Sequence, residues 1–267
     1  MLEENQIELV LFEHHVPAVE HFLSQGITSF IVDLECEGKK ARQKGFNTEI
    51  NQGHISDVNA ISKIAGTKVW CRINRYGHHT SEEVKSAIGA GAHVLILPMV
   101  TAIDEVFRFI RLIDSHCEAC IMIETPEAAS LSGQFNKMPL TYAFFGLNDF
   151  AICREDNFIF RAVGDGTVEM VRKEVHTLRF GFGGLTDIRL GSPIPAVRLI
   201  EELARLQCTF TFLRRSFRRD CKTTSPAQVV KGIRDYWEGC CGRTEDKVKK
   251  DHTELVRLID NLINTPI

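Results

Sequence analysis

Apolar, β-branched runs alternate with amphipathic stretches from one end of the chain to the other, and this alternation constrains the fold more than any other feature. The strand-like runs are Ile7 to Phe12, Ser29 to Leu34, Lys68 to Ile73, Ala92 to Pro98, Ala119 to Glu124, Thr141 to Phe145, Phe180 to Gly184 and Thr209 to Arg214. Helical patterns fall between them at Val16 to Ser24, Ser56 to Ile64, Ser81 to Gly89, Ala102 to Ser115, Gly166 to Thr177 and Pro195 to Leu206. In the fourth of these, Ile103, Val106, Phe107, Ile110 and Ile113 share one helical face. Near-continuous apolar strands are buried on both faces, as parallel sheets require. Eight such βα units in 267 residues predict an α/β fold and a closed (β/α)8 (TIM) barrel, with a doubly wound open sheet as the competing architecture. A single domain over residues 1–267 is expected, with 225–267 as a C-terminal helical extension that caps the barrel or packs on a neighbouring subunit.

Charge and cysteine content exclude several partner classes. With 32 basic against 35 acidic residues, the chain carries no field that would draw in nucleic acid or an anionic membrane. No apolar run approaches the roughly 20 residues needed to span a bilayer. Nine cysteines are scattered, odd in number and not preceded by a secretory pattern, so a reduced, cytoplasmic setting is expected. The lone CxxC, Cys117 to Cys120, lacks the four ligands of a closed zinc site and reads as packing.

In a barrel of this kind reactive groups stand at the C-terminal ends of strands. Those ends read Asp33-Leu34-Glu35, Arg72-Ile73-Asn74, Pro98-Met99, Glu124, Asn148-Asp149, Gly183-Gly184 and Arg214-Arg215-Ser216. Glu124 and Asp149 close successive strands and are therefore expected about 5 Å apart at one rim, one strand spacing. Two carboxylates leave most of an octahedral shell open, which suits Mg2+ or Mn2+ better than Zn2+ or Cu2+. Taken singly, each acid also reads as a helix-capping charge. Arg72 offers a fixed positive charge for a carboxylate or enolate oxygen, or a buried ion pair with Glu35 or Asp33, and both roles can coexist.

Five of these segments in order, Asp33-Leu34-Glu35, Arg72-Ile73-Asn74, Gly91-Ala92 with Leu97-Pro98-Met99-Val100, Ile123-Glu124-Thr125-Pro126-Glu127-Ala128 and Gly146-Leu147-Asn148-Asp149, resemble the strand-end motifs of the HpcH/HpaI aldolase and citrate lyase β-subunit superfamily. The likeness runs over roughly residues 28 to 220. It implies a pyruvate/phosphoenolpyruvate-type barrel, Mg2+ or Mn2+ held by Glu124 and Asp149, and carbon–carbon bond cleavage or formation through a metal-stabilised enolate. It further implies Glu35 on metal-bound water, substrate carboxylate binding near Leu147 and Asn148, Asp33 beside the substrate, and a homo-oligomer, trimeric or hexameric. Relatives commonly place His or Asp after the acid that matches Glu35; this chain has Cys36, a poor proton shuttle unless its pKa is lowered. His54, in the polar loop after the second strand, is the expected base, with a water activated by Glu35 as its rival. The loop from Glu37 to Gly53 and the arginines from Arg214 to Arg219 are further places for an anionic substrate, and His78-His79 reads as surface. The expected activity is a class II aldolase-type lyase acting on a 2-oxo acid such as pyruvate. The alternatives are an acyl-CoA lyase or thioesterase and a catalytically silent barrel.

Overall fold

The computed structural model describes residues 6–36, 53–214, 216–221 and 224–264. Nine parallel strands form one sheet: β1 (Glu8–Phe12), β2 (Ser29–Asp33), β3 (Lys68–Arg72), β4 (Val94–Leu97), β5 (Glu118–Ile123), β6 (Tyr142–Phe145), β7 (Arg179–Phe182), β8 (Gly184–Leu185) and β9 (Phe210–Leu213). Each of β1 to β6 pairs with the next, and β9 pairs with β1. The expected strand Phe180 to Gly184 is real but broken. Gly183 sits at φ 72°, a conformation that glycine takes without a Cβ penalty, and the chain turns there from its pairing with β6 to a pairing of β8 with β9. The Thr209 N–H donates to the Phe180 carbonyl at 3.0 Å, joining β9 to β7 below the break. The two halves of the broken strand thus complete the eightfold barrel that the sequence pattern predicts.

Helices Val16–Ser24, Ile55–Ser62, Thr80–Gly89, Ile103–Ile113, Thr167–Glu174 and Ala196–Arg205 cover the outside, within a few residues of the expected bounds. Short helices at Pro126–Ser130, Leu147–Cys153 and Arg161–Gly164 do not show as a periodic pattern in the sequence. The barrel interior is a separate apolar core that includes Val10, Ile31, Trp70, Val94, Met122, Tyr142, Phe144, Phe210 and Phe212. Trp70, Tyr142 and Phe210 form a three-ring contact with centroids 4.5 to 5.5 Å apart, and Phe144 stacks on Phe212 at 3.7 Å.

Beneath the rings, the N-terminal strand ends carry a closed polar network. Lys68 Nζ donates to the Tyr142 hydroxyl at 2.6 Å and pairs with Glu118 at 2.5 Å. Arg179 donates to the same hydroxyl at 2.7 Å and pairs with Glu8 at 2.9 Å, while Ser29 Oγ donates to Glu8 at 2.7 Å. Burial pushes the Tyr142 phenol up to about 12, so its oxygen remains a neutral acceptor for both cations.

The C-terminal segment packs on the chain's own outer helices. Asp251, buried in the helix Glu245–Asn264, accepts from Arg243 at 2.8 Å and Lys247 at 2.5 Å, and Arg198 joins Glu201 at 2.9 Å to Glu254 at 2.8 Å. Leu255 and Ile259, part of the apolar stripe offered by the sequence to a cap or a neighbour, are buried here. Among the described residues, no helix is long and apolar enough to cross a membrane.

Replacing Tyr142 with Phe keeps the ring volume and removes the acceptor shared by Lys68 and Arg179. A loss of about 0.5–1.5 kcal/mol is expected, the net worth of a typical hydrogen bond to partly exposed donors. Urea denaturation, with the native fold confirmed by circular dichroism, measures it.

Candidate active site

The parallel register sets Asp33 beside Arg72 at the ends of β2 and β3. The guanidinium donates to both oxygens of Asp33, Nε at 3.0 Å and Nη2 at 2.8 Å, and Nε lies 3.5 Å from Glu35. All three groups are buried. Burial alone would lower the pKa of Arg72, but Asp33 and Glu35 outweigh it and raise it above the ordinary arginine value. The remaining arm, Nη1, points past the sulfur of Met122 at 3.8 Å, and the Phe12 ring lies 5.2 Å from the guanidinium carbon. Asn74 then anchors the chain leaving β2, accepting from the Cys36 N–H at 2.8 Å.

Glu124 follows β5 and is 1% exposed. Its Oε1 accepts the Met99 N–H at 2.8 Å, an amide aimed by a left-handed turn in which Met99 takes φ 53°. A non-glycine residue there is strained, and such strain collects at functional sites. Thr125 ties the next residue down, donating to the Val100 carbonyl at 2.5 Å and capping the helix Pro126–Ser130. The other oxygen, Oε2, is buried and has no hydrogen-bond partner among the described residues. A Cβ on Gly146 would stand 2.6 Å from it, so only glycine leaves this carboxylate its place. Burial, then the charges of Asp149 and Glu35, push the Glu124 pKa up to about 8 against the opposing pull of Arg72.

Asp149 lies in the first turn of the helix Leu147–Cys153, whose N-cap is Gly146, and is 7% exposed. It is therefore inside the helix rather than its cap. Arg72, Glu124, Leu147, Asn148 and Asp149 line one cavity of about 990 Å³ at the C-terminal ends of the strands, floored by Met122, Phe144 and Phe212. A hard-oxygen donor set with one buried, unpartnered carboxylate oxygen beside a second acid fits Mg2+ or Mn2+.

The other sequence candidates fall elsewhere. Asp33 and Glu35 stand behind Arg72 and are not among the cavity-lining residues. His54 is exposed at the start of the helix Ile55–Ser62, its backbone N–H donating to Asp57 at 2.7 Å, and it too is not among the cavity-lining residues. The preceding Gly53 N–H donates to the Asp33 carbonyl at 3.0 Å, which brings His54 near the β2 end by its backbone. Residues 37–52 of the polar loop, with Lys39, Lys40 and Arg42, and Arg215 lie outside the described residues. His78 and His79 are exposed, with their rings tilted at 44° and centroids 3.7 Å apart.

Sequence reading passed over Glu13-His14-His15, directly after β1, although its position after a strand was a visible signal. The three side chains bring ligand atoms within 4.8 Å of one another. The Glu13 carboxylate already accepts from the backbone N–H groups of His14 and His15, at 2.9 and 3.1 Å, and pairs with Arg218 at 2.9 Å. That guanidinium neutralises the acid and disfavours a cation there.

Two tests follow from the Glu124 environment. Gly146→Ala forces the carboxylate out of its seat and is expected to weaken Mn2+ binding by roughly tenfold or more, the scale of disturbed support around metal ligands; calorimetric titration reads it. In the ion-free protein, a raised folded-state pKa adds stability at low pH that is lost as pH climbs from the ordinary carboxylate range through about 8. The melting temperature of wild type relative to Glu124→Gln should therefore fall across that window and level off above it.

No protein-family model and no curated protein matches the sequence. Solved structures do match in fold. A citrate lyase from Burkholderia xenovorans LB400 aligns with TM-score 0.59 at 10% identity, covering 98% of this chain and 84% of its own. Protein CitE from Mycobacterium tuberculosis, in complex with magnesium and acetate, aligns with TM-score 0.56 at 14% identity, covering 95% and 97%. A barrel of another kind, KGPDC from Streptococcus mutans, aligns with TM-score 0.61 at 11% identity, covering 89% and 100%. The chain thus has the TIM-barrel fold, and the solved structures that share it include a citrate lyase and protein CitE.

Proposed function

We propose that the chain is a divalent-metal-dependent carbon–carbon lyase that cleaves or forms an adduct of a 2-oxo acid, of which pyruvate is the simplest, through an enolate. The observation that carries this reading is the buried, unpartnered Oε2 of Glu124, held beside Asp149 in the cavity that Arg72 enters. Bound by these two acids, Mg2+ or Mn2+ would supply Lewis-acid polarisation of the substrate oxygens.

The chain's own residues supply the rest. Arg72 cannot rotate away, because two of its nitrogens are fixed on Asp33, so Nη1 is left to meet a developing negative oxygen. Asp33 thereby acts through Arg72. Leu147 and Asn148 open their helix, so their backbone N–H groups lack intrahelical carbonyls and suit a substrate carboxylate. Proton transfer is assigned first to a water oriented by Glu35 and second to His54. The apolar floor of Met122, Phe144 and Phe212 keeps bulk water from the carbon that loses its proton. We place the enzyme in the cytoplasm, where its nine free thiols would stay reduced, and as a homo-oligomer.

An acyl-CoA lyase is the second reading, favoured by Arg189 and Arg219 at the cavity mouth. Product analysis with CoA thioesters against 2-oxo acids separates the two.

Exchange of the pyruvate methyl protons in deuterated buffer, followed by proton NMR with and without Mn2+, is the direct test. Wild type should exchange only with metal. Arg72→Lys should lose roughly 100-fold, the scale of one lost transition-state donor, and Glu124→Gln at least as much. Absence of exchange in wild type, or equal exchange in Glu124→Gln, would sink the enolate reading and leave the silent barrel.

A further inference from the structure

The cavity has a second pole. The acids follow β5 and β6, whereas Arg214 follows β9 and lines the same cavity, and Phe144 of β6 stacks on Phe212 of β9. Its guanidinium donates to backbone carbonyls, Nε to Gly184 at 3.1 Å and Nη1 to Ser192 at 3.4 Å. Among the described residues, no carboxylate lies within ion-pair distance of it. The neighbouring arginines differ. Arg189 is bound by both oxygens of Asp187, at 3.0 and 2.5 Å, and Arg218 pairs with Glu13. Asp220, the acid whose field reaches Arg214, is engaged by Thr186 at 2.5 Å and Arg219 at 3.4 Å. Burial accordingly lowers the Arg214 pKa, against the general upward trend of the paired arginines.

A partly buried guanidinium that opens on a cavity with only neutral carbonyl partners lacks a counter-charge. Carbonyls orient the fork without neutralising it. The break at Gly183 produces this arrangement, since it swings Gly184 onto β9 and places its carbonyl against Arg214.

We infer that Arg214 is the anchor of an anion subsite, so that the substrate bears a second anionic group, a carboxylate or a phosphate, at the end away from the acid pair. This deepens the enolate reading and rests on it for what binds at the opposite pole. The substrate class is then a dianion: a 2-oxo acid end at Glu124 and Asp149, an apolar middle over Phe144 and Phe212, and a negative terminus at Arg214. An aldol partner with an uncharged tail would leave the guanidinium without a counter-charge and is disfavoured.

The test is equilibrium binding to ion-free protein at low ionic strength, by calorimetry or by 31P and 1H line broadening. Inorganic phosphate and succinate are the probes, and acetate is the single-charge control. Wild type should bind phosphate or succinate saturably and more tightly than acetate, and the preferred probe decides between phosphate and carboxylate. Arg214→Gln should weaken that binding by about tenfold or more, as expected for loss of a charge-assisted fork, and Arg214→Lys should lie between. Leu190→Glu, an exposed position on the same cavity wall, places a negative charge at the mouth without touching the core and should weaken the probe as well. It keeps the test decisive if Arg214→Gln does not fold. Absence of saturable binding by wild type, or binding by both Arg214→Gln and Leu190→Glu equal to wild type, overturns the subsite. Pyruvate exchange is scored separately. Exchange without probe binding removes the subsite and leaves the enolate reading, and Arg214-dependent probe binding without exchange does the reverse.

Discussion

A guanidinium buried at the end of β3 is the charge around which the upper half of this barrel is arranged. Arg72 faces Asp33, Glu35 and Glu124 directly, and Glu124 in turn feels Asp149. At Glu124, burial and the fields of Asp149 and Glu35 exceed the opposing pull of Arg72. The low dielectric of the interior makes that imbalance costly. Two physical remedies exist, a proton or a cation. The raised pKa of Glu124 is the first, and a hard divalent ion is the second. On the reading proposed above, an ion bound by this carboxylate would take the proton's place.

The lower half solves its charge problem by pairing. Glu8, Glu118, Lys68 and Arg179 meet around the Tyr142 hydroxyl with every strong contact made inside the chain. In barrels of this class the N-terminal face of the strands carries stability and the C-terminal rim carries chemistry. Large rings lie between the two. Trp70, Tyr142 and Phe210 fill the axis and isolate one set of charges from the other.

Much of this was legible in the sequence, because strands buried on both faces must be apolar along their length and so mark themselves. The strand ends were legible for the same reason: a charge directly after such a run has no apolar explanation. Helices of four to seven residues, such as Arg161–Gly164 and Leu147–Cys153, are too short to express a period, so Asp149 read as a strand end or a cap when it lies one turn into a helix. The split at Gly183 was hidden because glycine in a strand signals a bulge or a close approach without saying which partner the chain leaves. His54 read as a loop residue within reach of the site, whereas the pattern His54 to Asp57 before an apolar period is a helix start. Among the arginines after β9, composition could not tell the paired from the unpaired. The pairing of Arg218 depends on Glu13, some 200 residues away in the chain, and among the described residues Arg214 has no such acid.

The aromatic layer inside the barrel also fixes the direction of traffic. With Trp70, Tyr142 and Phe210 closing the axis, the barrel is a cup with its opening at the strand C-termini rather than a tube. Whatever reaches Glu124 must leave past the same wall that it entered by. On the reading proposed above, a molecule cut in two between the acid pair and Arg214 would release both fragments through that one opening.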